Sequence, residues 1–352
     1  MHLRCIDSYE VSDLKFRKVL PGICYATLFL LLTLDAKCAI QAAQEGIRLC
    51  LQTAIPSLFP FLIISPLLSS RISTRPTLIG SWLAKICGIP FGSESYFIIG
   101  LLGGYPVGAQ ILEQAYQKDI LNRQDAKRML GFCNNAGPAF ILGMGAALFE
   151  NTYIPLAMWG IQFFSSVYVS LLLPHRTTGS CKSVANQPLT MSSAVLLAIR
   201  SMAAICGWVI AFRILLSILK RWVLWLLPST LQVLIAGFLE LSNGCVALSD
   251  IPQESVRFIL CTAFLSFGGL CVWMQTLSVS PGLRSGWFFP GRCLHLFCSL
   301  SLACIVQPAI HPSYSILQPW QRCLLLTIIL TLPFICKKSI AFPLQMLYNK
   351  KN

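Results

Sequence analysis

Charge is what this chain has least of. Only 11% of its 352 residues are Asp, Glu, Lys or Arg, where a soluble domain carries about 25%. Acidic groups are the scarcer kind, 13 against 27 basic ones, and the formal net charge is +14. The four histidines (His2, His175, His295, His311) lie far apart, and the 16 cysteines include no Cys-x-x-Cys pair. Clustered zinc-ligand spacing is therefore missing, and cysteines embedded in apolar runs, such as Cys50, Cys206 and Cys298, act as small hydrophobes. There is no Walker loop, dinucleotide fingerprint, zinc-helix motif or nucleophile elbow. A built-in ATPase is excluded on that ground, and neither an enzyme nor a cofactor is expected. Basic residues stand at the ends of apolar runs without interleaved aromatics, so the electrostatic footprint of a nucleic-acid binder is lacking.

Apolar sequence fills the rest. Hydrophobic residues make up 55% of the chain and mean hydropathy is +0.69. Runs near the roughly 20 residues that cross a bilayer recur along its length. The composition specifies an all-α polytopic membrane protein with about eight to ten hydrophobic elements, by the span-length rule. Basic residues beside the spans then serve topology and lipid headgroups. A basic flank, Lys15, Arg17 and Lys18, precedes the first run, and a retained first helix with a cytoplasmic N-terminus is expected.

The organisation reads as a cytoplasmic segment 1–18, a first membrane half 19–173, a polar linker 174–190, a second half 191–341 and a polar tail 342–352. The run 47–68 contains Pro56, Pro60 and Pro66 and should be kinked. The segment 113–129 is the most charged, and Asn122 followed by Asp125 has the form of a helix N-cap. A solvent-exposed helical pair is expected there.

The most telling residues interrupt apolar runs. Gly100-Leu-Leu-Gly-Gly-Tyr-Pro-Val-Gly108 is followed by Phe132-Cys-Asn-Asn-Ala-Gly-Pro138. Gly, Pro and Asn break a helical ladder, and lipid cannot satisfy the freed backbone groups. Such backbone persists where it is buried in protein or lines a cavity, and paired interruptions point to a transporter site. The second half carries an echo: Gly237-Phe-Leu-Glu-Leu-Ser-Asn243 and Phe264-Leu-Ser-Phe-Gly-Gly269 keep the same order and approximate spacing. Two pseudo-repeats with broken or re-entrant helices are expected.

Candidate substrate-binding residues follow from these breaks. Glu240 is the one charge in its apolar run; an ionisable group at that depth either lines a pathway or sits near a helix end reaching headgroups. Asn134 and Asn135 either bond a solute or recap the freed backbone. Gly104, Tyr105, Pro106, Gly108 and Gly137 form the first-half wall, and Ser266, Gly268, Gly269 and Gln275 the second. Gly104 and Gly108 also match the small-residue packing motif. Arg200 and Arg213 share one run and stand about 20 Å apart on a continuous helix; either one supplies charge to an anion or snorkels to an interface.

Together these segments resemble the YlbJ-type (SpoVV) sporulation integral membrane proteins. The carrying motifs are Gly103-Gly-Tyr-Pro-Val-Gly-Ala109, the charged pair 113–129, Gly131-Phe-Cys-Asn-Asn-Ala-Gly-Pro-Ala-Phe140, Gly237-Phe-Leu-Glu240, and Ser266-Phe-Gly-Gly269 with Gln275. Such proteins look like relatives of the nucleoside-recognition Gate superfamily. The resemblance implies an inverted repeat with re-entrant hairpins around a midplane site. It also implies transport of dipicolinate, a small aromatic dicarboxylate, across the membrane surrounding the forespore. Alternatives are a nucleoside or cation carrier, or a non-transporting assembly protein for spore maturation. Expected partners are membrane lipid and the anionic solute, with either a second copy of the chain or other sporulation membrane proteins; no nucleic acid and no metal are expected.

Overall fold

The computed structural model describes residues 22–23, 25–71, 78–174, 180–182, 188–284, 286–310 and 316–339. The segments 1–18 and 342–352 lie outside these residues, as does most of the linker 174–190. Among the described residues there is no strand, only a single bridge between Phe91 and Ser180. Everything else is helix and short connection.

The first half runs α1 (Tyr25–Leu34), α2 (Ala36–Leu49), α3 (Ile55–Arg71), α4 (Leu78–Cys87), α5 (Glu94–Gly103), α6 (Val107–Gln117), α7 (Arg123–Cys133), α8 (Pro138–Leu148) and α9 (Tyr153–Leu172). The second runs α10 (Met191–Trp222), α11 (Ser229–Leu239), α12 (Leu241–Ala247), α13 (Glu254–Phe267), α14 (Gly269–Val279), α15 (Phe288–Ile310) and α16 (Pro319–Ser339). Five continuous or nearly continuous stretches are long and apolar enough to cross a membrane: Ala36–Arg71, Tyr153–Leu172, Met191–Trp222, Glu254–Val279 and Phe288–Ile310.

The element order repeats. A long span (α2–α3, then α10) is followed by two broken helices and a second span. The broken pairs are α5/α6 and α7/α8 before α9, and α11/α12 and α13/α14 before α15. Each break falls where the sequence supplies it. Gly104 has φ +76° and ends α5; Asn134–Gly137 separates α7 from α8, with Pro138 opening the latter; Glu240 is extended between α11 and α12; and Gly268, at φ +84°, divides α13 from α14. Glycine takes these positive φ values without steric cost.

The expected kink of the 47–68 run takes a definite form. A π-helical turn, Cys50–Ala54, joins α2 to α3 immediately before Pro56. Proline lacks the N–H for an i−4 bond and crowds that carbonyl, and widening the turn accommodates both defects. At 32 residues α10 reaches about 48 Å, longer than a hydrocarbon core of about 30 Å. It ends on Lys220, Arg221 and Trp222, residue types that favour the membrane interface.

The charged pair 113–129 departs from expectation. Two helices are there, and Asn122 caps α7 by accepting from Asp125 N at 2.8 Å. They are solvated only around their connection, where Asp119 and Arg123 are exposed and Lys118 is half-buried. Glu113, Asp125, Lys127 and Arg128 are all at most 5% exposed. Arg128 explains why. Its guanidinium donates to Cys87 O and Gly88 O (both 3.0 Å) beyond α4, and to Ser170 O (2.5 Å) and Pro174 O (2.9 Å) at the end of α9. The last carbonyls of a helix have no intrahelical partner and carry partial negative charge. One arginine ties two such ends together, with its charge over the Phe132 ring at 5.2 Å.

Candidate functional site

The two first-half breaks cross each other in backbone contact. A Cβ at Gly100 or Gly108 would lie 2.5 or 2.6 Å from Cys133 O, and one at Gly104 would lie 2.6 Å from Gly137 N. No side chain larger than hydrogen fits this crossing. The second-half breaks do the same: a Cβ at Gly244 would meet Gly237 Cα at 2.1 Å, and one at Gly269 would approach Gly237 O and Leu241 N at 3.2 Å. Tyr105 joins the two crossings. Its ring faces Gly268, where a Cβ would sit 3.2 Å from the hydroxyl, and that hydroxyl donates to Leu265 O.

Where the crossings meet α3 and α10 there is a cavity of about 710 Å³, counted out to its mouth. Tyr105, Gly137, Glu240 and Gln275 line it, with Ser57 and Phe61 of α3, Ile205 and Val209 of α10, and Ala139 and Phe140 from the first turn of α8. All four breaks therefore lie at this cavity or directly behind it. Among the described residues, Glu240 is the only charged one that lines it. The carboxylate caps α12, accepting from Ser242 N at 3.1 Å and Asn243 N at 2.7 Å. The α8 N-terminus has no side-chain cap, and Gly137, Ala139 and Phe140 at that end line the cavity. The N–H groups of a helix N-terminus favour an anion.

The remaining sequence-selected residues stand elsewhere. Gly104, Pro106, Gly108, Gly268 and Gly269 build the crossings without lining the cavity. Asn134 and Asn135 are fully buried behind the wall. Asn134 accepts from Ala109 N at 3.3 Å and donates to Thr276 Oγ1 at 2.9 Å, linking the first half to α14. Asn135 donates to Phe132 O at 2.7 Å and Ser166 Oγ at 3.2 Å. Of the two roles open to these asparagines, recapping the broken backbone and bracing it is the one the bonds describe. Ser266 donates to Thr262 O at 2.6 Å and accepts from Gln162 Nε2 at 2.8 Å. Gln275 meets only the Cys271 sulfur, at 3.2 Å, with its amide at the cavity.

Arg213 does not reach the cavity surface. Glu45 of α2 holds it, with Nε to Oε2 at 3.1 Å and a second bond from Nη2, and Nη1 donates to Asn243 Oδ1. It is linked to Glu240 through Asn243, which donates its N–H to the Glu240 carboxylate. Arg200 is exposed on α10.

One buried cation escaped the sequence reading. Arg292 of α15 is fully buried and donates to Asn135 Oδ1 at 2.6 Å, Gly131 O at 3.3 Å and Ser266 O at 3.5 Å. The signal was present: like Glu240, it is a charge inside an apolar run. Gln162 and His295, also buried polar groups within spans, belong to the same cluster.

A relative supports the motif resemblance. The sporulation integral membrane protein YlbJ of Bacillus subtilis (strain 168) is 23% identical over 320 residues, covering 76% of this chain and 78% of the relative. No family model matches the chain, and no solved structure does. The similarity covers most of both chains, and among the described residues the fold is helical, with five helices of membrane-crossing length and composition. The chain is thus a multi-pass membrane protein, similar over most of its length to a YlbJ-type sporulation integral membrane protein.

Proposed function

We propose that this chain is a secondary carrier or facilitator for a small anionic metabolite in a sporulating cell, acting in the membrane around the forespore. The observation that carries the reading is the cavity on which the broken helices of both halves converge. Broken helices offer unsatisfied N–H groups to a solute, and their breaks are sites where a carrier can move. The uncapped α8 N-terminus provides anion affinity, and the mostly apolar lining suits an aromatic body. Dipicolinate, the solute implied by the family resemblance, has both features. Kinship with the Gate superfamily is part of this proposal.

The test is uptake of labelled dipicolinate by liposomes containing the purified chain. Wild-type protein should accumulate it above protein-free vesicles, and Glu240→Gln should impair uptake while keeping a wild-type melting temperature. Well-folded protein that moves no dicarboxylate would sink the reading. One observation favours a second reading: among the described residues the one ionisable acidic or basic side chain on the cavity wall is the acidic Glu240, which suits a cation or a neutral nucleoside better than an anion. Unlabelled uridine or adenosine in excess would then suppress uptake of labelled nucleoside, and dipicolinate would not.

A further inference from the structure

A buried guanidinium needs a counter-charge, and Arg292 has none. It is 0% exposed, and among the described residues no carboxylate pairs with it. Its acceptors are an amide oxygen and two backbone carbonyls, and its Nε has no partner. Removing a charge from water costs several kcal/mol unless an opposite charge offsets it. The surroundings repeat the deficit. Ser266, which accepts from Arg292, is bonded to Gln162, whose Oε1 has no partner; Ser165 Oγ and Thr262 Oγ1, nearby on the same two helices, also lack one. Buried polar atoms are normally satisfied. Water could meet the hydrogen-bonding deficit of this cluster but not its charge.

Tyr105 separates this cluster from the cavity. Its ring is on the cavity wall, and its hydroxyl lies beside the Arg292 guanidinium while donating to Leu265 O. Turning that one side chain aside would open a way from the guanidinium to the cavity, which has no positive side chain among the described residues.

We propose that Arg292 is the cationic end of an anion site gated by Tyr105, taking a carboxylate of the solute or a small inorganic anion. The guanidinium fork matches a carboxylate in two-point geometry. The site rests partly on the carrier reading for its carboxylate source, and the experiment separates the two. Purified protein in neutral detergent is titrated with sodium dipicolinate, sodium benzoate and sodium chloride against sodium gluconate at constant ionic strength, and melting temperature is followed. Wild-type protein should be stabilised saturably by at least one of the three. Arg292→Gln should lose that stabilisation, and Arg292→Lys should need at least tenfold more anion. Stabilisation by carboxylates alone assigns the site to the solute, and stabilisation by chloride as well assigns it to a small inorganic anion. In case Arg292→Gln does not fold, Tyr105→Ala supplies the second arm: phenylglyoxal should modify Arg292 in this variant but not in wild-type protein, and the stabilising anion should protect it. No anion effect on wild-type protein, an undiminished effect in folded Arg292→Gln, or unprotected modification in Tyr105→Ala would overturn the site. Uptake that survives Arg292→Gln overturns the inference and leaves the carrier reading intact; anion binding without any uptake does the reverse.

Discussion

The two halves solve the same problem with different chemistry. Each interrupts two helices and packs the interruptions backbone to backbone through glycines. In the first half the freed groups are met by neutral amides, Asn134 and Asn135, both buried behind the cavity wall. In the second half a carboxylate does it: Glu240 caps α12 and lies on the wall itself. A common frame has thus been given one inert crossing and one charged crossing. Geometry is shared between the halves, while the charged group that lines the cavity among the described residues, Glu240, comes from the second.

The largest effect that tests this contrast is expected at the first crossing. Gly104→Val places a branched side chain at φ +76° and 2.6 Å from Gly137 N. It should cost more than about 4 kcal/mol, at the diagnostic end of single substitutions, and size-exclusion profiles in detergent should show loss of monodisperse protein. A well-folded Gly104→Val protein would mean that the crossing is looser than described. Next, Asn135→Ala strips an acceptor from the buried Arg292 guanidinium and should destabilise by about 1–3 kcal/mol, read as a fall in melting temperature. At the equivalent point of the second half, Glu240→Ala removes a helix cap whose carboxylate accepts two backbone N–H bonds, and about 1 kcal/mol is expected. A Glu240→Ala penalty larger than that of Asn135→Ala would reverse the proposed division between bracing and charged crossings. The smallest effect should come from Gly143→Ala and Gly207→Ala, one in each half, where a Cβ meets nothing within 4 Å. Each should gain up to about 1 kcal/mol from helix propensity, equally in the two halves, as a modest rise in melting temperature.

Much of this frame could be read from sequence because glycine, proline and asparagine in apolar surroundings have few other uses. Gly104, Asn134, Glu240 and Gly268 all sit at helix breaks, and the echo between halves becomes a repeated element order. Side-chain direction was not legible. Asn134 and Asn135 have the same local sequence whether they face a solute or their own backbone, and only the positions of Thr276, Ser166 and Arg292, far away in the chain, decide it. The 113–129 pair was misread in part, for a related reason: its connection is exposed but its helix faces are not. Its charges look solvated until the carbonyl ends of α4 and α9 are seen converging on Arg128. Arg213 likewise has the charge to meet an anion, but Glu45 of α2 holds it away from the cavity surface.

The central claim is that solute passes through the cavity between the two crossings. Ser57→Trp tests it most directly, since Ser57 lines the cavity from α3 and belongs to neither crossing. Liposomes containing this variant, matched to wild type in melting temperature and reconstituted amount, should lose at least nine-tenths of dipicolinate uptake, because the indole projects from the wall into the solute's space. Uptake at the wild-type rate in folded Ser57→Trp protein would contradict the account.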